Sequence, residues 1–245
     1  MFGFKPGGPT LCELIRQGLS STREGYDLLA SKFDLTPFLS KGDVLKSAVR
    51  NLRMENRNYN TALDLCTGTG AGAIALATTV RRKVVGVDRS APMLAEAREK
   101  WENIYALCPE LPEVTFLKED ILELRYREVF DLVTCFGAFG HFDQNDRRAF
   151  LNVAHTALKP GGQFVIDAFE FRLYSPQFWA ILGFDAAMRV RNFLWRPRFI
   201  MYYLNWLLPR MKPLLDKKHW SSVRVFPVKI KNKPSPFRLL IATKR

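Results

Sequence analysis

Leu63-Asp-Leu-Cys-Thr-Gly-Thr-Gly-Ala-Gly-Ala73 is the stretch that decides the fold of this 245-residue chain. It grows out of a short apolar run, Thr61 to Leu65, and leads into Ala71 to Thr79, whose composition favours a helix. Gly68, Gly70 and Gly72 stand between the two, so the segment reads as strand, glycine-rich loop, helix. Lys83-Val-Val-Gly-Val-Asp88 repeats the unit as a second strand, with Ala91 to Leu107 as its helix and Val114 to Leu117 as a third strand. Phe130 to Cys135 reads as a fourth strand and Asn145 to Leu158 as a helix. Gln163 to Ala168 follows as a fifth strand after the turn Pro160-Gly-Gly162. Strands alternating with helices at this spacing predict an α/β fold, a parallel sheet covered on both faces.

Outward from this core the grammar changes on both sides. Leu11 to Met54 has helical periodicity, interrupted at Pro37 and restarting at Gly42-Asp43, and predicts a helical cap over residues 1–57. The core then occupies 58–171. Residues 172–219 are rich in aromatics and arginines and read as an insertion. Val223 to Ile230 and Phe237 to Thr243, around the turn Lys231-Asn-Lys-Pro-Ser-Pro236, predict that 220–245 closes the sheet as an antiparallel hairpin.

With 47% hydrophobic and 25% charged residues the chain is neither fibrous nor disordered. Cys12, Cys66, Cys108 and Cys135 show no C-x-x-C spacing and only three histidines could join them, so neither a zinc site nor any other metal is expected. The N-terminal MFGFKPGGPTLCELIRQG lacks the apolar core of a signal peptide, and no run of about 20 apolar residues exists to span a bilayer. The expected location is the cytoplasm. Residues 1–171 carry 21 Lys+Arg against 22 Asp+Glu, and residues 172–245 carry 16 against 2, so the first two thirds sum to −1 and the last third to +14 of the net +13. That asymmetry points to an anionic surface met by one part of the protein.

Asp88 lies 18 residues beyond Gly70 at the end of the second strand, where a carboxylate can accept from the vicinal hydroxyls of a ribose. A nucleoside cofactor follows, without its identity. Gly68-Thr-Gly-Ala-Gly-Ala73 satisfies the dinucleotide fingerprint G-x-G-x-x-G/A, so an NAD-dependent oxidoreductase stays open at this point, although no Tyr-x-x-x-Lys pair occurs.

Between residues 20 and 170 the chain resembles the class I S-adenosylmethionine-dependent methyltransferases. Four blocks match in order: LDLCTGTG at 63–70, VVGVDRSAPMLAEAR at 84–98, LKEDILEL at 117–124, and FDLVTCFGAFGHF at 130–142 with LKPGGQFVIDAF at 158–169. The resemblance implies a seven-stranded Rossmann-like sheet, five parallel strands plus the hairpin, with S-adenosyl-L-methionine as cofactor and S-adenosyl-L-homocysteine as product. It implies that Asp64 orients the glycine loop near the amino acid end of the cofactor, and that Cys66, Gly68 and Gly70 let the backbone pass close to it. Asp88 takes the ribose hydroxyls, Arg89-Ser90 flank the adenine, Asp120 accepts from the exocyclic amine with Ile121 packed nearby, and Phe136 lines the cofactor and substrate side.

The chain departs from the family at Cys66, which replaces the first glycine of D-x-G-x-G-x-G. Where base-amino methyltransferases carry an Asn/Asp-Pro-Pro-aromatic motif, Cys135-Phe-Gly-Ala-Phe139 stands instead, which disfavours that subclass. Upstream, Tyr26-Asp-Leu-Leu-Ala-Ser-Lys-Phe-Asp34 resembles the Y-D-x-x-A-x-x-Y/F-D segment of quinone-type methyltransferases, which folds over the cofactor and would place Tyr26 there. The same residues also suit an ordinary amphipathic helix.

Methyl transfer from a sulfonium is largely a matter of positioning and excluding water. If the acceptor is a hydroxyl or a carbon acid, a base helps remove its proton. His141, after the fourth strand, is the catalytic candidate, with Asp143 or Asp146 to orient it, although a histidine there also suits capping of the next helix. His155 and His219 read as structural or solvent-facing, and Cys135 as a packing residue.

Residues 172–219 carry nine Lys+Arg and two Asp among aromatics that include Tyr174, Trp179, Trp195 and Trp206. The block FIMYYLNWLL at 199–208, flanked by Arg196, Arg198, Arg210 and Lys212, suits the headgroup boundary of an anionic membrane. An ordinary lid or oligomer contact, and RNA binding through interleaved arginines and aromatics, stay open beside it. The expected function is methylation of a small, lipid- or quinone-like acceptor, with peripheral attachment to a membrane through 172–219. An RNA methyltransferase, a cofactor-binding protein without turnover, and an oxidoreductase are the alternatives.

Overall fold

Strands β1 (Tyr59–Leu65), β2 (Val80–Asp88), β3 (Glu113–Lys118), β4 (Phe130–Cys135) and β5 (Leu158–Phe169) pair in parallel in the computed structural model. The model describes residues 6–36, 42–171 and 175–245; Pro37 and Tyr174 lie outside them. The hairpin β6 (Trp220–Ile230) and β7 (Lys233–Lys244) joins the β5 edge antiparallel, giving the order β3-β2-β1-β4-β5-β7-β6. This is the seven-stranded α/β sheet expected from the sequence.

Successive residues of these strands point to opposite faces and both faces are buried over most of their length, which is why the strands read as near-continuous apolar runs. Leu63, Leu65, Val85, Val87, Val133 and Phe164 pack on one side with α6 (Asp146–Ala157). Ala62, Val84, Leu132 and Val165 pack on the other with α3 (Gly42–Met54), α4 (Ala71–Leu76) and α5 (Ala91–Leu107). The chain builds outward from β1 through β2 to β3 and then returns to place β4 and β5 on the other side. The loops that leave β1 and β4 therefore diverge and open a crevice at the carboxyl edge, where such sheets bind ligands.

Two local features differ from the sequence reading. Pro160-Gly-Gly162 lies inside β5 as a bulge, since pairing passes from Phe130–Leu158 to Leu132–Gln163. Gly161, with φ of 73°, takes the left-handed turn this needs. The C-terminal turn is only Lys231-Asn232, both left-handed at φ of 48° and 62° as in a two-residue primed turn, and β7 runs on through Pro234 and Pro236. Those prolines precede Phe237, where pairing with β5 begins, so only one neighbouring strand lies beside them.

The cap consists of α1 (Leu11–Leu19), α2 (Thr22–Leu29), a 3-10 helix over Ala30–Leu35, and α3. Capping boxes Thr10–Glu13 and Ser21–Glu24 start the first two helices and satisfy their end amides. The insertion forms α7 (Pro176–Leu194), a 3-10 turn Tyr203–Trp206, and α8 (Leu208–Met211). Its block at 199–208 corrects the sequence reading. Phe199, Leu204 and Trp206 are buried rather than offered to a membrane. The indole of Trp206 donates to the Asp167 carbonyl at 2.6 Å, and Asp185 and Asn192 of α7 satisfy backbone groups of Phe199, Tyr203 and Leu204.

Candidate active site

A cavity of about 290 Å³ fills the crevice between β1 and β4. The sheet side supplies Asp64, Cys66 to Thr69, Asp88 to Ser90, Asp120 to Leu122, Phe136 to Ala138, and His141. The cap and insertion close the other side with Thr22, Arg23, Tyr26, Phe33, Ile200 and Met201. Among the residues expected at the site from sequence, Tyr26, Asp64, Cys66, Gly68, Asp88, Arg89, Asp120, Ile121, Phe136 and His141 come together on its wall.

Gly70 does not, and this is a correction. A Cβ on Gly70 would stand 2.8 Å from the Ala97 Cβ and 3.1 Å from the Phe116 ring, so this glycine lets the loop pack on α5 rather than meet a ligand. At Gly68 a Cβ would meet nothing within 4 Å. Gly72 permits close approach of Asp64, whose Oδ2 would lie 2.5 Å from an added Cβ. Cys66, at the first glycine position of the family pattern, has a φ of 56°, a left-handed backbone that glycine adopts most readily, like Gly68 at 54° and Gly70 at 83°. A side chain held there costs about 1 kcal/mol.

The carboxylates are held by short bonds. Asp64 accepts from the Thr67 and Thr134 hydroxyls at 2.7 and 2.6 Å, yet burial pushes its pKa up to about 6. Asp88 accepts from the amides of Gly68 and Ser90 at 2.8 and 2.9 Å, one to each oxygen, and burial raises its pKa also. Each oxygen keeps a lone pair for a further donor. Asp120 accepts from the Leu122 amide at 3.0 Å and faces Arg89 at 3.6 Å.

Both aspartates of the Tyr26–Asp34 segment fasten it over the carboxyl edge of the sheet, Asp34 at the glycine loop and Asp27 at the start of α5. Asp27 accepts from the Ser90 hydroxyl at 2.5 Å, and Asp34 accepts from Thr69 at 2.7 Å and binds Lys100. Tyr26 lies between Phe33 and Phe199, and its hydroxyl meets His141 Nε2 at 2.7 Å. The other ring nitrogen, Nδ1, lies 2.7 Å from the Ile200 carbonyl. A carbonyl only accepts, so Nδ1 carries the hydrogen and Nε2 offers its lone pair to the Tyr26 hydroxyl. Burial lowers the pKa of His141 and raises that of Tyr26, so both are neutral near pH 7.

Asp143 and Asp146 do not orient His141, contrary to the sequence reading. Asp143 accepts from the Asn145 and Asp146 amides and shapes the start of α6, while Asp146 only lines the cavity. Cys135 is fully buried, and the neighbouring Cys66 thiol together with burial pushes its thiol well above the ordinary value, so it is no nucleophile. Ile200 carries no sequence signal, since it acts through a backbone carbonyl that any residue would supply.

Residues 62–162 match the family model of a methyltransferase domain. The chain carries a class I S-adenosylmethionine-dependent methyltransferase domain. The matched residues hold every sheet-side wall of the cavity, while Tyr26 and Ile200 stand outside them. Over 116 residues, 46% of each chain, the protein is 34% identical to a demethylmenaquinone methyltransferase of Oceanobacillus iheyensis. In such alignments it spans about half the length of the relative. A demethylmenaquinone methyltransferase of Chlorobaculum tepidum aligns over 221 residues, 85% of this chain and 78% of that protein, at 27% identity. The methyltransferase domain also shares its fold with a magnesium protoporphyrin IX methyltransferase of Synechocystis solved with bound SAH, at a TM-score of 0.59 and 19% identity over 82% of each chain.

Proposed function

We propose that the protein is an S-adenosylmethionine-dependent methyltransferase that methylates a small, hydrophobic, quinone-like acceptor, with His141 as its base. The Tyr26–His141 pair, set in the wall of a cavity that also contains the glycine loop, carries this reading. The residues suit the cofactor: the space over Gly68 is open, and Asp88 has lone pairs left for two ribose hydroxyls. On this reading Asp64 lies toward the amino acid end, Arg89 and Ser90 beside the adenine, Asp120 at its exocyclic amine with Ile121 against the ring, and Phe136 toward the acceptor. When bound, S-adenosylmethionine supplies an electrophilic methyl group on a sulfonium and leaves as S-adenosylhomocysteine.

The chain's own residues do the rest. Phe33, Phe136, Phe142, Ile200 and Met201 give the acceptor side an apolar wall that excludes water. The acceptor hydroxyl or acidic C–H gives its proton to the Tyr26 oxygen as Tyr26 passes its own proton to Nε2. The resulting imidazolium keeps both N–H groups bonded, to Tyr26 and to the Ile200 carbonyl. Relatives named for demethylmenaquinone and for 2-phytyl-1,4-naphtoquinone support a quinone-like acceptor. Against RNA, two insertion arginines are engaged internally: Arg189 lies 4.3 Å over the Tyr202 ring and Arg191 binds the Ser20 and Pro197 carbonyls.

The test is thermal unfolding with S-adenosylmethionine, S-adenosylhomocysteine, NAD or NADP, followed by methyl transfer to reduced naphthoquinones. A ligand at 100 times its Kd stabilises by about 2.7 kcal/mol, a rise of roughly 5–10 °C at this size. The sulfur nucleosides alone are expected to give it, and Tyr26→Phe and His141→Gln to lose about 100-fold in turnover while keeping the S-adenosylhomocysteine shift, with the midpoint lowered only by the loss of a buried hydrogen bond, about 1–2 kcal/mol. A shift with S-adenosylhomocysteine but no transfer to any quinol overturns the acceptor; a shift with nicotinamide cofactors alone overturns the cofactor.

A further inference from the structure

Two surface helices of this protein are turned inside out. The buried side of α7 is polar: Asp185 accepts from the Tyr203 and Leu204 amides, Asn192 bonds both backbone groups of Phe199, and Arg191 reaches the Ser20 carbonyl at 3.1 Å. Its exposed residues are apolar except for Gln177 and Arg189. Phe193 and Leu194 are 86% and 73% exposed, with Trp179, Val190 and Trp195 also in solvent. On α1 the same inversion holds, since Gln17 is buried while Leu11, Ile15 and Leu19, four residues apart along one stripe, are exposed. The C-terminal ends of the two helices are fastened through Arg191 and Ser20. A helix in water normally turns its apolar stripe to the core, so such outward faces mark a contact with something apolar.

Charge says what that something is. Arg16 on α1 and Arg196 and Arg198 after α7 are exposed, and the only acid between residues 175 and 215 is the buried Asp185. A second copy docked face to face would bring these arginines together, and a nucleic acid, which stacks on aromatic rings, would find no use for the exposed aliphatic residues Leu11, Ile15, Leu19, Val190 and Leu194. An anionic bilayer interface accepts both the apolar stripe and the cationic rim. No helix among the described residues is long and apolar enough to cross a membrane.

We propose that the outward faces of α1 and α7 dock the protein on an anionic lipid surface. The chain from Trp195 to Met201 leads from this face directly into the cavity wall, where Ile200 and Met201 stand beside Thr22, Arg23 and Tyr26. A lipid-borne acceptor, as the function proposed above requires, leaves the bilayer next to the wall it enters.

Flotation of the full chain with vesicles of 70% phosphatidylcholine and 30% phosphatidylglycerol tests the docking, against pure phosphatidylcholine and against 0.5 M salt. The wild type is expected to float with the anionic vesicles, less with neutral ones and less in salt, with a blue shift of tryptophan emission. Phe193→Ser with Leu194→Ser, and separately Leu11→Ser with Ile15→Ser, should each reduce the bound fraction at least tenfold while leaving the unfolding midpoint and its S-adenosylhomocysteine shift unchanged. Variants that float like the wild type overturn the proposal. So does a wild type that ignores vesicles but elutes as a dimer that these variants dissociate, or that is retained on RNA. Docking with no S-adenosylhomocysteine shift would instead sink the methyltransferase reading and leave the docking face standing.

Discussion

Gly68 and Gly70 stand two residues apart in one loop, both left-handed, yet an alanine at each should fail in a different way. At Gly70, φ of 83° costs a side chain about 1 kcal/mol, and the new Cβ would sit 2.8 Å from Ala97 and 3.1 Å from Phe116. Neither neighbour is a flexible end: Ala97 belongs to α5 and Phe116 to β3, both in the buried core. Overpacking of this kind costs a further ~2 kcal/mol, so Gly70→Ala should lose about 3 kcal/mol and roughly 6–12 °C of midpoint. At Gly68 the backbone cost is the same, but nothing lies within 4 Å of the added methyl except the cavity. Gly68→Ala should therefore stay within about 1 kcal/mol of wild type and lose S-adenosylhomocysteine binding by at least tenfold. Differential scanning calorimetry of the free proteins and isothermal titration with S-adenosylhomocysteine read the two effects separately. A Gly70→Ala protein as stable as wild type, or a Gly68→Ala protein that binds S-adenosylhomocysteine as tightly, would refute the division of the loop into a packing side and a ligand side.

Other consequences follow from the same site. Cys66→Gly should keep cofactor binding, because the left-handed backbone at φ of 56° is already that of a glycine; a tenfold loss in affinity would show that the thiol itself matters. Asp27→Ala leaves the Ser90 hydroxyl without its 2.5 Å partner and loosens the segment over the glycine loop, so KM for S-adenosylmethionine should rise several-fold while the midpoint falls by about 1 kcal/mol equivalent, readable in initial rates and a melt. Burial pushes the Asp167 carboxyl up to about 7, with its Oδ2 bonded to no described group. The folded state then holds a proton that the unfolded chain has released. Stability from this group is full below the unfolded pKa near 4 and is lost as pH rises to 7. Between pH 5.5 and 8.5 the loss is about 2 kcal/mol. Asp64, pushed up to about 6, acts with the same sign, whereas His141, lowered by burial, weakens the fold only as pH drops below its ordinary 6.5. Melts across this range should show the acid side more stable than pH 8.5, and Asp167→Asn should flatten the slope; a wild-type profile rising with pH would contradict the assignment.

The sheet was legible in the sequence because parallel strands buried on both faces are apolar at most consecutive positions, and that pattern survives in one dimension within Thr61 to Leu65, Lys83 to Asp88 and Phe130 to Cys135. The sheet side of the cavity was legible for a related reason: the residues at the carboxyl ends of β1, β2, β3 and β4 project into the crevice wherever the strands form, so Asp64, Asp88, Asp120 and Phe136 are placed by their position at strand ends. The aspartates of the Tyr26–Asp34 segment were legible as a pattern, though what they hold was not. Packing in three dimensions set the rest: Gly70 packs on α5, Ile200 holds the imidazole through a carbonyl, and Tyr26 rather than Asp143 or Asp146 completes it. These depend on which distant backbone comes close, and a backbone group leaves no residue-type signal. Packing also decided which apolar residues of the insertion face water. FIMYYLNWLL is the more apolar block and yet lies largely buried, while Phe193 and Leu194 stand in solvent, because Asp185 and Asn192 turn the polar side of α7 inward to satisfy the loop beneath it. Composition counts apolar residues; only packing says which of them remain for a partner.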